Sequence, residues 1–138
     1  MTRTDEQHIV DPVQRAMRRV LVDIDSTTPY RSTMQIEEGD DWPTTVVCWG
    51  FLDSVTGRAT AVHPAEGEEQ AAALLADEMS EEVSDALARD HRLDDAATWP
   101  PCPLHPHSLD PVVVADRAVW RCRDDANVQI PIGSLGTA

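Results

Sequence analysis

Four prolines stand between positions 100 and 106, at Pro100, Pro101, Pro103 and Pro106. Each fixes its own φ and lacks an amide proton, so neither a helix nor an interior sheet strand can run through the segment. This divides the 138 residues into an α+β domain at 1–93 and a Pro-rich linker with a β-hairpin appendix at 94–138. The appendix is expected to lie on the same domain. A chain of this length buries roughly 68–70% of its unfolded surface, enough for one core without staples.

Upstream of the prolines, Val13, Ala16, Met17, Val20, Leu21 and Ile24 recur with the spacing of one helix face, which predicts a helix over 11–24. Asp11 is the expected N-cap and Pro12 the first helical residue. Tyr30, Ser32, Met34 and Ile36 alternate with polar residues, as a half-exposed strand does. Thr44–Leu52 is β-branched and aromatic and predicts a central strand, with Cys48 as a small buried hydrophobe. Turns are expected at Gly39–Pro43 and Asp53–Gly57, and a third strand at Arg58–His63. A long helix over about 65–90 carries Ala71, Leu74, Leu75, Met79, Val83, Ala86 and Leu87 on one face. Its other face holds Asp77, Glu78, Glu81, Glu82 and Asp85. The economical arrangement is an antiparallel sheet with both helices on one face.

Beyond the prolines, Val112–Ala115 and Ala118–Cys122 predict a hairpin about Asp116–Arg117, followed by a short strand at Asn127–Ile132. Cys102-Pro-Leu-His105 and Cys122-Arg-Asp-Asp125 form two pairs of metal-donor residues flanking that hairpin. The spacing resembles a zinc ribbon, in which two knuckles joined by a hairpin each supply two ligands. The resemblance implies a structural zinc on Cys102, His105, Cys122 and Asp125, with His107 as a substitute for Asp125. Two of the ribbon's four cysteine positions are replaced, so a vestigial knuckle held by Trp99, Trp120 and proline packing is the alternative.

Formal net charge is −14, which disfavours nucleic acid and anionic membranes as partners. All eleven cationic side chains are arginines, so lysine Schiff bases and P-loop lysines are excluded. No apolar run approaches the ~20 residues of a membrane span, and the polar start of the chain places it, as an expectation, in the cytoplasm. Three cysteines in such a setting argue against a disulfide framework.

Val20–Thr27 resembles the first motif of haloacid-dehalogenase-type phosphatases, a strand ending in Asp-x-Asp-x-Thr. The resemblance implies a nucleophile at Asp23 and an acid at Asp25, with Thr27 completing the motif. It ends at those letters: the apolar period through Ile24 is helical, and the family's lysine has no counterpart. Helix-end carboxylates are therefore expected. The element order and acidity of residues 1–93 also resemble small acidic chaperones that dimerise and bind extended segments of partner proteins.

The resulting expectation is a non-enzymatic interaction or adaptor protein that binds a protein partner and forms a possible homodimer. Trp42, Trp99, Glu78 and Glu82 are its candidate contact residues. The alternative is a zinc-knuckle protein or metal-dependent hydrolase built on the C-terminal Cys/His/Asp cluster. A DNA-mimicking inhibitor is a third reading, prompted by charge alone.

Overall fold

A computed structural model describes residues 2–38, 45–51, 57–90 and 99–137. Its order is α1 (Thr2–Thr27), β1 (Ser32–Glu38), β2 (Thr45–Phe51), β3 (Gly57–Val62), α2 (Glu68–Arg89), β4 (Asp110–Val114), β5 (Arg117–Arg121) and β6 (Gln129–Pro131). The fold is α+β, with two helices and two antiparallel sheets ordered β1-β2-β3 and β4-β5-β6.

The register of the first sheet sets Met34 opposite Trp49, Ile36 opposite Val47, and Val47 opposite Thr60. These residues therefore share one face. Val47, Trp49 and Val62 on that face join the helices in a common core, and Thr60 is buried beside them. Cys48, on the opposite face, is half-buried, so the expected core role passes to its neighbours Val47 and Trp49. The expected turns at 39–43 and 53–56, and Trp42 with them, lie outside the described residues.

Helix α1 begins at Thr2, so Asp11 and Pro12 stand inside it and do not start it. An interior proline forfeits the bond to the carbonyl four residues earlier, and among the described side chains the buried face holds Val13, Ala16, Met17, Val20 and Ile24. The second helix, by contrast, is slightly shorter than expected. Pro64–Glu66 forms a 3₁₀ turn, and Gly67, at φ 94°, breaks the backbone before α2 starts at Glu68. Only glycine enters that region without a Cβ penalty.

The second sheet meets the same helix pair. Trp99, Leu109, Ala118, Trp120, Cys122 and Ile132 belong to one apolar cluster with Val20, Ile24, Leu75 and Met79. The β4–β5 turn is centred on Ala115 and Asp116, at φ 50° and 64°, one residue earlier than expected. Two successive left-handed residues match the right-handed twist of a two-residue hairpin.

Candidate metal centre

The Pro-rich segment is closed into a loop by its own backbone. Pro101 bridges Ser108, the Cys102 N–H donates to the His107 carbonyl at 2.9 Å, and the Leu109 N–H donates to the Pro100 carbonyl at 2.8 Å. The Trp99–Pro100 peptide is cis. This closure turns Cys102, His105 and His107 towards the end of β5, where Cys122 follows Arg121. A second turn holds Cys122: its N–H donates to the Val128 carbonyl, and the Val128 N–H donates to the Asp125 carbonyl, both at 3.0 Å.

The donor atoms of Cys102, His105 and Cys122 lie within 4.8 Å of one another. His105 Nδ1 stands 3.4 Å from each sulfur, and His107 Nε2 stands 3.6 Å from the Cys122 Sγ. Tetrahedral zinc, with Zn–S near 2.3 Å and Zn–N near 2.05 Å, separates its sulfur and nitrogen ligands by about 3.6 Å. The two His105–sulfur separations therefore fit a shared tetrahedral ion, and the His107–Cys122 separation matches the length of one further edge of such a site. His107 lies outside the mutual set of three, with its Nε2 also 3.0 Å from the Asp124 carboxylate. Its Nδ1 lies 2.8 Å from the Ser108 carbonyl. A proton on Nδ1, donated to that carbonyl, leaves the Nε2 lone pair for a metal. The two imidazoles stack with centroids 5.6 Å apart.

Burial pushes the Cys102 thiol up, but the Leu104 N–H, His105 and Cys122 outweigh it and bring it down to about 7. His105 is raised above its ordinary value, chiefly by its hydrogen bond with Cys102, with burial opposing and the Asp124 and Asp125 charges adding to the rise. A thiol that ionises near neutrality beside an imidazole is a ready soft-metal donor.

Asp125, expected as the fourth ligand, is not among the converging donors. Its Oδ1 accepts the Asn127 N–H at 3.0 Å and shapes the turn. His107, expected as its substitute, also stands outside the mutual set of three, although its Nε2 is 3.6 Å from the Cys122 Sγ.

The remaining candidates lie elsewhere. Trp99, expected as an exposed contact residue, is only 3% exposed. It meets Trp120 edge-on at 5.4 Å and donates from Nε1 to the Thr27 hydroxyl at 3.0 Å. Glu78 and Glu82 sit half-buried on α2.

Asp23 and Asp25 lie on helix α1 and not on a strand. Asp25 is exposed, whereas Asp23 is buried and accepts three N–H groups: Trp120 Nε1 at 2.8 Å, Gly133 at 2.6 Å and Leu135 at 2.9 Å. Thr27 donates its hydroxyl to the Asp23 carbonyl at 2.6 Å. This constellation anchors structure and presents no nucleophile. Asp23 was the residue whose role sequence reasoning missed, because its partners lie about a hundred positions away.

Comparison with protein-family models, with curated proteins and with solved structures gives no match to this chain.

Proposed function

We propose that this chain is a zinc-binding interaction protein. In this reading the metal, held by Cys102, His105, Cys122 and His107, clasps the Pro-rich loop to the end of β5. The carrying observation is the pair of 3.4 Å separations from one imidazole nitrogen to two sulfurs, with a second imidazole 3.6 Å from one of them. Turning His107 from Asp124 to the metal completes the tetrahedron. A site closed by four protein ligands leaves no position for substrate, so the metal stabilises and does not react.

The working surface is then the acidic outer face of α2, offered to a protein partner with a basic patch. Asp77 on that face has its carboxyl raised by partial burial and by the neighbouring Glu81, Glu78 and Asp110. Such crowding of like charge is relieved by a cationic partner.

The test is metal titration of the full chain after chelation. One zinc per chain is expected, together with a raised melting temperature. Cobalt should give a thiolate charge-transfer band and tetrahedral d–d bands. Cys102→Ser and Cys122→Ser should abolish binding. His107→Ala should weaken it by about tenfold or more, and Asp125→Ala should leave the cobalt spectrum unchanged. Failure of the chelated chain to take up zinc or cobalt at micromolar concentration overturns the reading.

A further inference from the structure

We propose that Cys102 and Cys122 also form a peroxide-responsive dithiol that closes an intrachain disulfide between the Pro-rich loop and the end of β5. The inference goes beyond the zinc reading. It uses the same sulfurs but requires no metal.

Three observations carry it. The two sulfurs lie within 4.8 Å of each other although twenty positions separate them in sequence. Each belongs to a turn whose backbone is hydrogen-bonded within itself, so the pair is held by two firm frames and not by chance approach. His105 Nδ1 stands 3.4 Å from both sulfurs, where it can take a proton from either thiol.

The exposures set the order of events. Cys102 is 7% exposed and lies in a loop whose Leu104 is 69% exposed, whereas Cys122 is fully buried. A small neutral oxidant therefore meets Cys102 first. Cys102, its proton passed to His105, attacks one oxygen of hydrogen peroxide. The O–O bond breaks, and a sulfenic acid and hydroxide result. Cys122 then attacks the sulfenic sulfur, the S–O bond breaks, and the S–S bond forms. The first hydroxide takes back the proton held by His105, and the hydroxide that leaves the sulfenic sulfur takes the proton given up by the Cys122 thiol. In sum, two thiols and one peroxide become one disulfide and two waters. His105 swings out from between the sulfurs, and any bound zinc loses both thiolate ligands.

Cys48, on the far face of the first sheet, serves as an internal reference thiol.

The test treats the reduced full chain, metal-free and zinc-loaded, with hydrogen peroxide. Free thiols should fall from three to one, and the intact mass should drop by about 2 Da, the two hydrogens lost. Cleavage after arginine without reduction should give residues 93–117 joined to the dipeptide Cys122-Arg123. In Cys48→Ser the same linked pair should form. Bound zinc should slow the reaction, and a chromogenic chelator should recover about one ion per disulfide formed. Mass gain on Cys102 without a link, a bridge to Cys48, or only intermolecular dimers overturns the proposal. The two readings fail separately. A link formed in a chain that never binds zinc sustains the dithiol and removes the zinc reading, whereas zinc binding without a link under peroxide does the reverse.

Discussion

The β1–β3 sheet meets the helices through Val47, Trp49 and Val62, with Thr60 as its one buried polar side chain among the described residues. The β4–β6 sheet is joined to the same helices by apolar contact as well, but buried or half-buried polar groups run through that contact. Asp23 reaches Trp120, Gly133 and Leu135. Arg19 donates from Nε to the Ile132 carbonyl at 2.8 Å and from Nη1 to Glu68 at 2.9 Å and Glu69 at 2.7 Å. Glu69 in turn accepts the Ala118 N–H at 2.9 Å. Gly133, at φ 109°, uses a backbone region open mainly to glycine to aim its N–H at Asp23. The difference teaches that one sheet tolerates any well-shaped apolar set, whereas the other is held in a single orientation by groups that cannot be left unpaired.

The sharpest way to break this contrast is Asp23→Ala. It strands three buried or half-buried N–H donors, one from an indole and two from the backbone of the C-terminal tail. Each orphaned donor costs about 1–3 kcal/mol, so a loss of about 3 kcal/mol or more is expected in urea unfolding. Trp120 fluorescence should shift as its indole loses its acceptor. Asp23→Asn keeps an acceptor but turns an amide donor towards other donors, and should recover part of the loss. An Asp23→Ala variant as stable as the parent would mean that apolar contact alone seats the second sheet.

Val47→Ala probes the other side of the comparison. Val47 is fully buried on the core face of β2. Removing two methyl-sized groups costs about 1.6 kcal/mol in transfer and somewhat more for the cavity, about 2 kcal/mol in all. Zinc affinity should not change, because the effect is confined to packing. A Val47→Ala loss larger than that of Asp23→Ala would reverse the assignment of which sheet depends on single residues.

The same contrast explains what could be read from the chain beforehand. The first strand follows from alternation, the second from its β-branched and aromatic residues and the third from the turn before it, and their observed limits differ from the expected ones by one or two residues. Cys102, His105 and Cys122 were visible as donors because metal sites repeat short spacings. The hairpin turn was placed one residue late, since neither Ala115 nor Asp116 advertises a left-handed backbone as glycine would. The fourth donor was not legible, because loop closure, which no local spacing encodes, sets the distances around Cys122. The helix start was misjudged at Asp11 and Pro12, where sound local cap chemistry was overridden by a helix that runs on to Thr2. Asp23 looked like half of a catalytic motif or a helix-end charge. Its role becomes visible only when Trp120 and the tail are in place.

Glu69→Gln gives the smallest effect and the most specific sign. Burial pushes the Glu69 carboxyl up, but Arg19 and the Ala118 N–H outweigh it and hold it below its ordinary value. A depressed carboxyl contributes stability that is fully present above its unfolded value and is lost as pH falls through its folded value. Asp23 runs the other way. Burial raises it against its three N–H donors, so its titration contributes stability at low pH that is lost as pH rises through its folded value. Because Glu69 is partly open to solvent, the neutral variant should lose only about 1 kcal/mol at pH 7. The gap between variant and parent should close on acidification below the ordinary glutamate range, where the parent's own Glu69 becomes protonated. A gap constant from pH 7 to pH 3 would show that Glu69 orders the Arg19 hook by shape alone. The polar seating of the second sheet would then owe nothing to the charge at this position.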